Sequence, residues 1–203
     1  MITIVDYGMG NLGSVVNMLR LVNVEIEVSS DPKHIAKASR ILLPGVGAFD
    51  PAMEKIDALG IREVLDEKVL CERVPILGIC LGMQLLTRGS EEGKRPGLGW
   101  IPAYTRRFPS DLGLKVPHMG WNIAERMRPC SLTERLDDEM RFYFVHSYCV
   151  QTDEPQDTVL KTFYGIEFAA AVQRGNIMGA QFHPEKSHRF GMQLLRNFAE
   201  LQC

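Results

Sequence analysis

No stretch of the 203-residue sequence reaches the roughly 18 uninterrupted apolar residues that a membrane-crossing helix requires. The opening MITIVDYG lacks the basic start and long apolar region of an export signal, so a cytoplasmic location is expected. Basic clusters are missing too. With 23 basic and 25 acidic side chains and a formal net charge of −2, no field of one sign exists to attract nucleic acid or an anionic membrane, and neither is expected as a partner. Cysteine is sparse. Cys71, Cys80, Cys130, Cys149 and Cys203 are odd in number and widely scattered, without the paired spacing of a zinc site or the density of a disulfide scaffold. That excludes a structural metal, fits a reducing compartment, and lets each thiol be judged alone. Repeats, low-complexity tracts and linkers are also lacking, so residues 1–203 are expected to form one domain.

What is present is alternation. Short apolar runs at 2–5, 24–28, 40–43 and 75–79 are separated by stretches with helical spacing, such as 15–22 and 61–70. Right-handed βαβ units with a parallel sheet between helices follow from that pattern. After Gly99 the runs 104–108, 141–150, 158–163, 168–173 and 176–182 succeed one another with little helix between them, which predicts added antiparallel or mixed strands. The last segment, SHRFGMQLLRNFAEL, puts Phe190, Leu194, Phe198 and Leu201 on one helical face that should cover the sheet.

Gly8, Gly10 and Gly13 in DYGMGNLGS fit the spacing of a dinucleotide-binding loop, and Glu25, Glu27 or Asp31 could grip a ribose. Asp6 and Tyr7 stand where that fingerprint is apolar, and nothing downstream suggests a hydride acceptor. A tight glycine turn joining strand to helix is the favoured reading.

VPILGICLGMQLL carries more chemistry. Gly78-Ile79-Cys80-Leu81-Gly82 has the form of a nucleophile elbow, a strained strand-to-helix turn that lifts the central side chain clear of the sheet. Cys80 would then sit at a helix start that favours thiolate, with the Leu81 amide facing the same point. A lone cysteine is more often simply buried; the glycines make the two readings equal.

A thiolate acting on an acyl group needs a base. His34, His118, His146 and His188 have bland explanations: a surface helix, a turn, an aromatic strand and a helix start. His183 opens His183-Pro184-Glu185 after a strand, where strand periodicity sends imidazole and carboxylate to one side. Glu185 could orient the ring while its other nitrogen faces the nucleophile; a surface His–Glu pair is the alternative. Pro44-Gly45-Val46-Gly47 also ends a strand and offers amides for an oxyanion, or forms an ordinary turn. In a parallel sheet all three would share the carboxyl edge.

Taken together, GICLGMQ, PGVG and HPE resemble the class I, or triad, glutamine amidotransferases. More narrowly, DYGMGN (6–11), PGVGAF (44–49), LGICLGMQLL (77–86), SEEG (90–93), PHMGWN (117–122), YFVHSY (143–148) and QFHPEKS (181–187) resemble the glutaminase subunits of imidazole glycerol phosphate synthases, in matching order along nearly the whole chain. The resemblance implies a three-layer, flavodoxin-like α/β fold with a central, mostly parallel sheet and added antiparallel strands. It implies L-glutamine as substrate, Cys80, His183 and Glu185 as catalytic residues, and Val46, Gly47 and Leu81 at the oxyanion, with a PGVG peptide reorienting. Gly47, Gln84, Glu92 and Ser147 would hold the glutamine. Only Gln84 has independent support, lying one helical turn beyond Cys80. No cofactor or metal is implied. The implied partner is a (β/α)8-barrel cyclase that uses the ammonia to make imidazole glycerol phosphate and an aminoimidazole carboxamide ribotide in histidine biosynthesis. It would dock near Gly10, Asn11, His118, Met119, Trp121 and Lys186, although Trp121 could equally be a core residue. The alternative is a paralogous glutaminase serving another synthase, such as one amidating a sugar for surface polysaccharide. An inactive binding protein is disfavoured because all three catalytic residues are present.

Overall fold

The computed structural model describes residues 1–201 apart from the Leu112 side chain; Cys203 lies outside the described residues. The first half of the chain runs β1 (Ile2–Val5), α1 (Leu12–Leu21), β2 (Ile26–Ser29), α2 (Pro32–Ile35), β3 (Ile41–Gly45), α3 (Phe49–Ala58), α4 (Arg62–Asp66), β4 (Ile76–Cys80) and α5 (Leu81–Leu85). There follow β5 (Ala103–Arg107), β6 (His118–Arg126), β7 (Met140–His146), β8 (Tyr148–Thr152), β9 (Thr158–Tyr164), β10 (Ile166–Arg174), β11 (Ile177–Ala180) and α6 (His188–Glu200).

One sheet connects them in the order β2-β1-β3-β4-β11-β10-β9-β6-β7, with β8 joining β10 to β5. The first five strands of that order are mutually parallel, and the others pair antiparallel. Residues ITIV and ILGIC are buried along their whole lengths, as expected where helices cover both faces. Strand alternation deals their side chains to two cores. Ile2, Ile4, Leu77 and Ile79 join Val15 and Leu19 of α1 and Leu194 and Phe198 of α6 on one side. Val5, Ile41, Leu43 and Ile76 meet Phe49, Met53 and Ile56 of α3 on the other. Helix, sheet and helix therefore form the expected three layers, and β11 returns parallel to β4 so that their carboxyl ends adjoin.

Three local expectations change. The run 141–150 is not one strand but two, broken at Ser147 where the chain leaves β6 as a neighbour and joins β5 and β10. PHMGWN, read as a turn, begins the nine-residue β6. The helix over 61–70 starts as α4 and widens into a π turn at Glu67–Cys71. α3 had no counterpart in the sequence reading.

Candidate active site

β4 delivers Cys80 to the carboxyl edge of the parallel strands, and the chain reverses there into α5. The cost is a positive φ of 54° at a non-glycine residue. The two flanking glycines make that reversal possible. A Cβ on Gly78 would lie 2.6 Å from the Gly82 carbonyl oxygen, and one on Gly82 would lie 1.8 Å from that of Leu43. The elbow is therefore real, and Cys80 lines a cavity of about 300 Å³ together with Val46, Gly47, Leu81, Gln84, Glu92, Ser147 and His183. Its sulfur lies 3.9 Å from the Val145 carbonyl oxygen and 3.8 Å from the Gln181 amide nitrogen. Cys149 contrasts with it: burial pushes that thiol up to about 12, leaving it an inert core residue.

His183 follows β11 and is pinned by its backbone. Its N–H donates to the Tyr143 carbonyl at 2.9 Å, while the Ser187 hydroxyl donates to the His183 carbonyl at 2.7 Å and accepts from the Tyr143 amide at 3.0 Å. Nδ1 donates to Glu185 Oε1 at 2.8 Å, with both side chains only 3% exposed. The pairing matches the expectation, but its route differs. β11 ends at Ala180, and a 3-10 turn over Pro184–Lys186, not strand alternation, swings the carboxylate beneath the ring. Burial alone would lower the imidazole's basicity; Cys80 and Glu185 beside it more than offset that and hold it at about 9. Nε2 is buried and has no hydrogen-bond partner among the described residues. A ring held protonated next to a thiol, with one nitrogen committed and the other uncommitted, can shuttle one proton during acyl transfer.

The cavity's opposite wall is built by reciprocal ties. α3 begins at Phe49 without a side-chain cap of its own, and Glu92 Oε2 accepts the Phe49 amide at 3.0 Å. Asp50 in the same first turn accepts the amides of Lys94 and Arg95 at 2.9 and 3.0 Å. These bonds, Lys94's first, hold the Asp50 carboxyl below its ordinary range, whereas burial pushes that of Glu92 up. Gln84, open to reading as a solvated helix residue, is buried. Its amide donates to the Tyr148 carbonyl at 3.1 Å and to Gln181 Oε1 at 3.2 Å. Gln181 was missed in the sequence; a glutamine inside the otherwise apolar run IMGAQF is the signal that could have found it. Gly47 adopts φ 112°, which only glycine tolerates readily.

The docking candidates divide. Met119 and Trp121 are 62% and 47% exposed on the outer face of β6, and Trp121 stacks on His188 at 5.2 Å. It is therefore not the core residue it could have been. Lys186 is exposed, its ammonium 5.6 Å from the Tyr143 ring. Gly10 is half-buried, and Asn11 is exposed and caps α1 by accepting the Ser14 amide. His118 is a correction: only 3% exposed, it faces inward from β6 and cannot meet a partner. The glycine loop after β1 is the simple turn favoured above. Gly13 has open space where a Cβ would be, not the close helix–strand packing that the dinucleotide fingerprint demands of its third glycine.

Residues 3–201 match the family model described as glutamine amidotransferase class-I. The chain is 48% identical over 198 residues to the imidazole glycerol phosphate synthase subunit HisH 2 of Methanococcus maripaludis, covering 98% of each. It is 47% identical over 201 residues to the subunit of the same name from Pseudomonas aeruginosa, covering 99% of this chain and 100% of that one. Among solved structures, one described as a glutamine amidotransferase superposes with a TM-score of 0.77 at 18% identity over 98% of this chain and 97% of its own, a likeness of fold. On this agreement of family model and full-length relatives, the chain belongs to the class-I glutamine amidotransferases.

Proposed function

We propose that the chain is the glutaminase subunit of an imidazole glycerol phosphate synthase, hydrolysing L-glutamine to glutamate and ammonia for a cyclase subunit in histidine biosynthesis. The observation that carries the chemistry is the uncommitted Nε2 of a Glu185-anchored His183 in the same cavity as Cys80. With its proton already on His183, Cys80 attacks the carboxamide carbon as the thiolate, giving a tetrahedral oxyanion at the amides of Leu81 and, after reorientation of a PGVG peptide, Val46 and Gly47. As the C–N bond breaks, His183 gives its proton to departing ammonia. It then takes a proton from water, whose hydroxide attacks the thioester and releases glutamate and the thiolate, restoring the starting pair. Glu92, Gln84, Gly47 and Ser147 hold the substrate's amino-acid end. One oxyanion donor is typically worth about 10²–10³-fold in rate, enough for a partner to switch the subunit on through that one peptide. The partner, a (β/α)8 barrel, docks over Gly10, Asn11, Met119, Trp121 and Lys186, in the cytoplasm. Residues 1–203 act as one amidotransferase domain.

A second reading is a paralogous glutaminase for another synthase, such as a sugar amidotransferase. It is motivated by the numbered names of relatives, HisH 2 in M. maripaludis and P. aeruginosa and HisH 1 in Campylobacter jejuni. Glutamate release tests both. Cys80→Ala should lose about 10⁵–10⁶-fold with its fold intact, and normal ammonia release would end the Cys80 assignment. A histidine-pathway cyclase should stimulate the wild-type chain under the first reading and leave it slow under the second.

A further inference from the structure

Ser147 is the break between β7 and β8, held there by a single backbone hydrogen bond, its carbonyl accepting the Phe108 amide at 3.2 Å. A side chain also bridges the break. His146 Nδ1 lies 2.7 Å from the Tyr148 carbonyl, spanning Ser147, and that carbonyl also receives Gln84 at 3.1 Å. A carbonyl only accepts, so His146 must carry its proton on Nδ1 and present Nε2 as an acceptor. His118 Nδ1 sits 3.1 Å from that Nε2 and must therefore donate. This leaves His118 Nε2 as an acceptor for the Asn122 amide at 3.2 Å. Asn122 is itself fixed, donating to the Phe163 carbonyl at 3.0 Å and accepting the Ile123 amide at 2.8 Å.

Every proton in this series is dictated by backbone groups at its two ends. Rings fix the planes: His118 lies between Tyr164 and Phe144, with centroids at 4.1 and 4.9 Å, and His146 packs on Phe108 and Phe168 at 5.3 and 5.2 Å. Burial lowers His118 to about 4 and His146 to about 3, so both rings stay neutral at physiological pH. The series ends on a carbonyl that cannot pass a proton onward. Its role is mechanical.

We propose that His146, oriented by His118 and Asn122, is a positioning residue that braces the Ser147–Tyr148 corner against which glutamine binds. This rests on the function proposed above. The test is glutamine hydrolysis by the full chain with its cyclase, separating KM from kcat. His146→Gln places its amide near the Nε2 position and loses the bond to Tyr148, so KM should rise about tenfold, the worth of one such bond, with kcat changing less than about threefold. His146→Asn keeps a donor at the Nδ1 position and should recover most of that loss. Alkylation of Cys80 by iodoacetamide, which does not use the glutamine contacts, should proceed at the wild-type rate in both variants. If His146→Gln folds poorly, the half-buried Asn122→Ala carries the test with an expected KM increase of about threefold. An unmoved KM, a loss confined to kcat, or no recovery in His146→Asn would overturn the brace. A wild-type complex that hydrolyses no glutamine would overturn the proposed function and the brace with it.

Discussion

The parallel and antiparallel parts of the sheet solve opposite problems. In β1, β3 and β4 every side chain is covered by the chain's own helices. In β6 the outward positions Met119, Trp121 and Ile123 are apolar and exposed, while the inward ones include His118 and Asn122. One region is complete by itself and supplies the proposed nucleophile. The other places polar groups inside and apolar groups outside, an arrangement suited to a surface that a second protein covers. The proposed base belongs to neither alone, because His183 follows a parallel strand while its backbone is tied to β7.

The sharpest way to break the self-contained region is Gly82→Ala. Its Cβ would overlap the Leu43 carbonyl oxygen at 1.8 Å, so α5 must shift away from β3. We expect a loss of roughly 3–5 kcal/mol in urea unfolding. A stable variant with normal activity would show that the elbow can relax.

The next effect is on pH, and the two sites differ in sign. His183 is held at about 9, above its ordinary value near 6.5, so its contribution is fully present below about pH 6.5 and lost as pH rises to about 9. His118 and His146 are held at about 4 and about 3. The unfolded chain therefore takes up protons first, and stability falls as pH drops from about 6.5 to about 4. Each limb should amount to roughly 1–3 kcal/mol. Denaturant midpoints from pH 4 to 10 should show Glu185→Gln reducing the alkaline limb alone, leaving the share due to Cys80, and His118→Gln reducing the acid limb alone, leaving the share due to His146. Loss of both limbs in one variant would mean that the sites are not separate.

The smallest effect on the fold should come from Trp121→Ser. Unfolding of the isolated chain should change by no more than about 0.5 kcal/mol, whereas affinity for the cyclase should fall about tenfold or more. Equal affinity would remove β6 from the docking surface.

The same contrast governs what the sequence discloses. β1, β3 and β4 were legible because burial on both faces writes a continuous apolar run, and the elbow because its glycines answer direct steric clashes. β6 was not legible, since its alternation is inverted and Pro117 and Gly120 suggest a turn. The break at Ser147 was hidden because both flanking segments are β-rich, and only their different neighbours separate them. Cys80, His183 and Glu185 could be read from their local patterns. Gln181 left only a polar residue in an apolar run, and the His118–His146 pair could not be read, because its two rings lie in separate strands and no short motif records them.

The ties between the first turn of α3 and the loop at 92–95 bear on how this chain can tolerate changes in length. Ala48 alone separates Gly47 from Phe49, and Phe49 and Asp50 together grip Glu92, Lys94 and Arg95. An inserted residue between 45 and 49 would shift one wall of the cavity relative to the other, while the exposed residues 137–139, outside the cavity lining, should absorb insertions. Divergence in this architecture should therefore add or remove residues in such exposed stretches while keeping the spacing from Gly45 to Phe49 fixed.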